Sequence, residues 1–461
     1  MATTTLKQLL LLAGAVLLFN ACGKDDDTTT TPVDPQTTDQ LITDNGNGTG
    51  TVTWTKDKVY VLDGLVFVND GQTLTIEAGT VIKGNPGSGV NASALVVARG
   101  GKIMAEGTQS EPIIFTNVTD DLQGSVPVKA KGLWGGIIVL GKASLNSDPG
   151  ESAIEGIPTS EARGIYGGTD DNDNSGTLRY ISIRHGGTDI GDGNEINGLT
   201  LGGVGSATTI DHIEVIANKD DGVEFFGGAP RCKHMIVAFC GDDSYDYDEG
   251  YRGMGQFWVA IQEGEAGDRV GEHDGGTSPE TALPYATPNI YNVTYVGRGA
   301  SAGKRMLTFR DNAGGHYANS IFVNQDKGVD VELLSGEGAF DRFQDGNLEL
   351  KNNIFYDIAD GTPAGIFKVS FGDGASSNTD SLTAAATFAD YFTTAGNSVV
   401  DPGIIYGNDS WQLVPTGMVS DNLAALPDSW MIQAPYKGAF DPNATSWAKG
   451  WTLISTSGLN D

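Results

Sequence analysis

Three stretches of this chain alternate apolar and polar positions in a shared phase. Residues 213–218 (IEVIAN), 235–240 (MIVAFC) and 257–262 (FWVAIQ) superimpose at a constant offset of 22 residues. The acidic turns superimpose with them, 219–225 (KDDGVEF) over 241–247 (GDDSYDY). Alternation in a strand sends every second side chain to the same side. Ile213, Val215 and Ala217 are therefore expected inside, with Met235, Val237 and Phe239, and then Phe257, Val259 and Ile261. A period near 22 with two short strands per unit predicts a solenoid, in which each repeat covers the apolar side of its neighbour. A propeller or sandwich is disfavoured, because it asks for evenly spaced strands joined by hairpin turns.

Strand-like runs extend the pattern in both directions. Residues 59–68 and 74–83 flank a turn at 69–72, and residues 95–98, 113–116 and 132–140 follow. The passages "LTIEAGTVIKG" and "LVVARGGKIMAEGTQSEPIIFTN" resemble the opening rungs of right-handed parallel β-helix proteins of the pectin-lyase-like kind. Residues 141–177 read as a long loop leaving one rung. Asn292, Asn319 and Asn352 recur at similar rung positions and are expected to stack as a ladder at a bend. The period disappears near residue 376, where 382–392 reads as a short helix and aromatic residues gather around 447–451. The expected fold is all-β: a single-stranded right-handed parallel β-helix over 51–375 with rungs of about 22 residues. Residues 376–461 are expected as a mixed C-terminal cap, because a solenoid must cover its last rung.

The N-terminus reads as an export signal. Lys7 precedes an apolar run at 9–19, too short to span a bilayer as a mature helix. The run ends Phe-Asn-Ala-Cys at 19–22, which resembles a bacterial lipobox and makes residues 1–21 a signal peptide with Cys22 as the acylated residue. The following Gly-Lys-Asp-Asp-Asp resembles the acidic tag of lipoproteins displayed on the outer face of the outer membrane. Residues 22–50 are expected to form a Thr/Asp/Pro-rich tether. Cys232 and Cys240 lie eight residues apart on one strand, roughly 26 Å when extended, beyond disulfide reach.

Composition adds two constraints. The 65 glycines suit a chain that turns every few residues. A net charge of −31 argues against nucleic acid as a partner.

Carrying the 22-residue register into the turns stacks carboxylates. With Val223 and Phe225 inward, Glu224 points outward, Asp246 follows one rung later, and an insertion of about four residues brings Glu272 into the same column. Asp220 stacks on Asp242 and Asp268, and Asp221 on Asp243 and Arg269. Carboxylates about 5 Å apart repel by roughly 3 kcal/mol at an effective dielectric near 20. Two things offset that. A hard cation, Ca²⁺ first, would be held by Asp220, Asp221, Glu224, Asp242, Asp243, Asp246, Asp248 and Glu272. The alternative is internal pairing, by Arg269 beside Asp243, Lys304 beside Asp268 and Arg310 near Asp248.

Catalytic residues are not singled out. Residues 218–222 and 241–244 resemble the Asp motifs of polysaccharide hydrolases of this fold, but the Gly-His-Gly turn and Arg-x-Lys strand of that family are missing at the following rungs. Tyr251, Arg252, Trp258 and Arg310 are the candidate ligand-binding residues, Tyr251 and Trp258 as a sugar-stacking face. His212 and His234 stack at offset 22 and face outward; they are transition-metal ligand types without an evident third ligand.

The runs "GLWGGIIVLGKA", "DDGVEFFGG" and "GDDSYDYDEGYRGMGQFWVAIQ" resemble a family of uncharacterised surface lipoproteins from Bacteroidota. That resemblance covers most of 51–461 and implies a β-helix anchored by lipid to the outer membrane and facing the cell exterior. It assigns no activity. The expected role is a non-enzymatic binding or assembly component with a surface glycan or outer-membrane protein as partner. The alternative is a Ca²⁺-dependent lyase or a hydrolase acting on an acidic polysaccharide.

Overall fold

The computed structural model describes residues 39–191, 194–276, 279–372, 379–407 and 410–459. The expected signal peptide and Cys22 lie outside these residues. The described chain winds as a right-handed parallel β-helix with three faces per turn. A middle rung shows the plan. Thr209–Ile216 is one long strand bent at His212, and Val223–Phe226 forms the third face. The next rung repeats it with Arg231–Ala238 and Tyr245–Asp248. Parallel pairing sets Ile210 beside Cys232, Ile213 beside Met235 and Val223 beside Tyr245, as the 22-residue offset predicts. The third face is a ten-stranded sheet running from Leu65–Val68 to Phe367–Phe371.

The bend between the first and second faces recurs at one position per rung. Tyr180, His212, His234, Phe257, Asn292, Asn319 and Asn352 all adopt φ between 48° and 60° there. Such a conformation is uncommon for non-glycine residues and is most tolerated by Asn, Asp and His. The aromatic members stack, with centroids 4.2 Å apart for Tyr180–His212, 4.3 Å for His212–His234 and 5.1 Å for His234–Phe257. The asparagines occupy the expected position but bond elsewhere. Asn292 donates to the Tyr436 carbonyl at 2.8 Å, and Asn319 exchanges two hydrogen bonds with the Ala424 backbone. They fasten the C-terminal segment to the coil.

One rung departs from the predicted register. Met235 pairs with Trp258, an offset of 23, because the turn 249–253 is one residue longer than its counterpart 227–230. A one-residue slip exchanges the two sides of a strand. Trp258 and Ala260 therefore enter the core, whereas Phe257, Val259 and Ile261 point outward. Trp258 fits because Gly255 leaves its indole room, and its Nε1–H donates to the Cys232 carbonyl at 3.0 Å. The sequence hid the slip because both sides of this strand are apolar. The outward residues Ile216, Ile236, Val259, Ile261, Val296 and Ile321 are buried beneath the C-terminal segment. A parallel strand covered on both faces reads as a continuous apolar run.

The ends also differ from expectation. Gln40–Ile42 already pairs with Tyr60–Leu62, so ordered structure begins inside the segment expected as a tether. Of the expected cap, the helix Thr379–Thr394 closes the last rung, with Phe388 and Phe392 in the core. The chain beyond it runs back along the outer side of the second face. There Trp411, Leu413, Phe440 and Ile454 join the second apolar cluster. Glu214, fully buried, accepts the backbone N–H groups of Leu453 at 2.8 Å and Ile454 at 3.1 Å.

Candidate functional site

Val223 and Phe225 point into the core, as do Tyr245 and Tyr247 on the next rung and His273 on the one after. The intervening residues must face outward. Glu224, Asp246 and Glu272 are adjacent in register, followed by Thr308 and Asp330. The turns leading into the third face stack in the same way. Asp221 accepts the Asp243 N–H at 2.8 Å, and Asp243 accepts the Arg269 N–H at 2.5 Å. Each of these carboxylates thus ties its turn to the turn of the next rung through one oxygen.

The wall has two electrostatic zones. Toward the C-terminus its carboxylates are paired. Arg269 lies 3.1 Å from Asp268, 3.2 Å from Glu272 and 3.9 Å from Asp243. Lys304 lies 2.9 Å from Asp268. Arg310 pairs with Glu272 and, at 2.7 Å, with Asp274, rather than with Asp248 as expected. Toward the N-terminus the balance is absent. Among the described residues, no Lys or Arg stands within 4.0 Å of Asp220, Asp221, Glu224, Asp242 or Asp246. Glu224 instead accepts from the Asn197 amide, and the Asp246 Oδ1 is buried without a donor.

Protonation follows from this imbalance. Burial first, then the charges of Glu155, Glu195 and Asp242, push the Asp220 carboxyl up to about 7. Burial and neighbouring carboxylates likewise raise Asp221, Glu224, Asp243 and Asp246 well above the ordinary range. For Asp242 burial and Asp268 raise the value while Arg269 and Lys304 oppose them. Carboxylates raised together are either shared protons or the oxygens of a cation site.

The arrangement fits a hard cation. Asp221, Glu224 and Asp246 each offer an oxygen, all within 4.8 Å of one another, and Asp243, Asp246 and Glu272 form a second such group sharing Asp246. Calcium–oxygen bonds of 2.3–2.6 Å allow oxygens up to about 5 Å apart across the ion. The undonated Asp246 Oδ1 is common to both groups, and the first is favoured because Arg269 and Arg310 already pair with Glu272 in the second. Asp220 and Asp242 join Asp221 in a third group nearer the surface. Asp248 belongs to none of these; it pairs in register with Phe226, two positions along from Asp246.

The other candidate residues are dispersed. Tyr251 and Trp258, expected as a sugar-stacking face, are 0% and 1% exposed and stack on Phe225 inside the coil. Tyr251 is buried because it sits in the five-residue turn that causes the register slip. Arg252 is held by both oxygens of Asp171 and by the Gly250 carbonyl. Only Arg310 of this set reaches the acidic wall. The sequence missed Glu155, which the covering loop brings to the wall, and Asp211, which lies between His212 and His234. Glu155 carried no signal, since its loop has no period. Asp211 was legible as the residue preceding the bend.

No curated protein and no solved structure matches this chain. Residues 46–401 match the family model described as pectate-lyase-like β-helix domain. With the three-faced parallel coil in place over the same residues, the chain belongs to the pectate-lyase-like β-helix family.

Proposed function

We propose that this protein is a calcium-stabilised β-helix, anchored by lipid to the outer membrane, that binds a surface glycan or an outer-membrane protein without cleaving it. One observation carries the non-enzymatic reading. Two arginines at the acidic wall are each committed to two or more carboxylates, Arg269 to Asp243, Asp268 and Glu272, and Arg310 to Glu272 and Asp274, and Arg305 at the C-terminal end of the column pairs with Asp330 at 3.1 Å. A lyase base must take a proton from a substrate carbon, and the hydrogen bond to Asp274, with the charges of Asp274 and Glu272, holds the Arg310 guanidinium above its ordinary value, in its charged form. Calcium at Asp221, Glu224 and Asp246 would neutralise the unpaired zone and tie two successive rungs together. The family match supports the competing lyase reading, so the test addresses it directly. Purified protein is incubated with a panel of acidic polysaccharides, with and without Ca²⁺, while the ultraviolet absorbance of unsaturated products is followed. Flat traces are expected; a Ca²⁺-dependent rise on any member overturns the non-enzymatic reading. The anchor rests on Cys22 and its flanking residues, and Cys22→Ala should move the protein from the membrane to the soluble fraction.

A further inference from the structure

A second cluster of metal-ligand types lies on another face, away from the third-face column. Asp211 and His212 adjoin the bend of one rung, and His234 occupies the bend of the next. The Asp211 Oδ1 lies 2.9 Å from the His212 Nδ1 and 2.7 Å from the His234 Nδ1, so two imidazoles converge on one carboxylate oxygen. All three ligand atoms lie within 4.8 Å of one another.

His212 distinguishes this cluster from an ordinary hydrogen-bonded aspartate. It is 8% exposed, and its Nδ1 is buried without a hydrogen-bond partner, although the Asp211 oxygen stands beside it. The His234 Nδ1 is aligned for a hydrogen bond to that oxygen and the His212 Nδ1 is not. A buried nitrogen left without a partner is destabilising. The ring is held there by stacking on Tyr180 and His234, with Trp447 and Trp451 edge-on above it.

We propose that Asp211, His212 and His234 form a site for a borderline divalent transition ion, with Zn²⁺ as the representative. Two imidazole nitrogens and one carboxylate oxygen are the donor set of Zn²⁺ and its neighbours, whereas Ca²⁺ takes oxygen alone. The ion takes the place of the proton now shared between His234 and Asp211 and supplies the missing partner of the His212 Nδ1. The rings reach it by turning about χ2, a torsion with a broad minimum in histidine. The Asp211 side chain retains 25% exposure, which leaves a route for the ion and room for a water as a further ligand. The bound ion would clip two rungs at their bend, beneath the two tryptophans of the C-terminal segment.

Metal-stripped full chain is titrated with Zn²⁺ by calorimetry. One ion per chain is expected. Asp211→Asn keeps the shape of the side chain, and His234→Phe keeps the stack; each should weaken binding at least about tenfold. The double change Asp243→Asn with Asp246→Asn should leave it unchanged, which separates this site from the acidic wall. Circular dichroism confirms that each variant is folded. Should either unfold, Cu²⁺ bound to the unaltered chain decides: its paramagnetic resonance spectrum should show coupling to two nitrogens. Absence of Zn²⁺ binding, binding that survives both substitutions, or a copper spectrum without nitrogen coupling overturns the proposal.

Discussion

At the scale of single residues, the informative groups are those whose bonding is incomplete. Asp246 is the clearest. Its Oδ1 is buried without a donor, its carboxyl is raised by burial and by Glu224, Asp221 and Glu272, and two carboxylate groups share it. In a cation-free protein the Asp246 charge is a liability; with calcium bound it is the ligand common to both groups. Asp246→Asn therefore has opposite effects in the two conditions. In the presence of a chelator the amide removes repulsion, and relief of ~1 kcal/mol would raise the melting temperature by about 2 °C. In millimolar Ca²⁺ the unaltered chain should gain stability and the variant should not. Differential scanning fluorimetry in both buffers measures it. A variant that melts lower in chelator, or that keeps the full calcium shift, shows that Asp246 is not the shared ligand.

At the scale of elements, the strands of the second face and the segment that covers them explain both what the sequence revealed and what it concealed. The 22-residue offset from Ile213 to Met235 and from Glu224 to Asp246 was legible because those positions obey one alternation and one turn length, and Glu272 joined the column once a four-residue insertion was allowed for. The slip at Trp258 was not, since Phe257, Trp258, Val259, Ala260 and Ile261 are all buried, on one side or the other. Hydropathy cannot tell inside from outside when a distant segment covers the outside. That segment has no period of its own, and many of its polar attachments are single side chains, among them Asn292, Asn319, Gln256 and Glu214. Glu214 is the strongest case, because its carboxylate meets two backbone N–H groups and the Ser182 hydroxyl in a fully buried position. Glu214→Gln replaces one acceptor by a donor facing a donor, at a cost of about 1–3 kcal/mol. The loss should appear locally. Trypsin should cut at Lys449 faster in the variant than in the unaltered chain, while the far-ultraviolet spectrum of the coil is retained. Equal cleavage rates would mean that the apolar cluster around Trp411 and Phe440 holds the segment without the carboxylate.

At the scale of the whole molecule, the decisive quantity is the coupling between charge and stability in a chain of net charge −31. The folded state raises the carboxyls of Asp220, Asp221, Glu224, Asp243 and Asp246, Asp220 to about 7. Their ordinary values lie near 4. Between about pH 4 and pH 7 the folded chain thus binds more protons at these sites than the unfolded chain does. Stability changes with pH in proportion to the protons bound by the unfolded state minus those bound by the folded state, which is negative here. Without a cation, stability from this wall is present below about pH 4 and falls as pH rises through 7. Arg269, Lys304 and Arg310 soften the fall only in the zone they reach, near Asp268, Glu272 and Asp274. Calcium held at the wall as proposed would reverse the slope, because it competes with protons for the same oxygens and binds more tightly as they leave. Melting temperatures taken from pH 4.5 to 7.5 in chelator should therefore decline, and those taken in Ca²⁺ should hold level or rise, so that the two curves diverge toward neutral pH. Parallel curves would mean that calcium does not occupy the wall. A chelator curve that rises would mean that the unpaired carboxylates are neutralised by groups other than Arg269, Lys304 and Arg310.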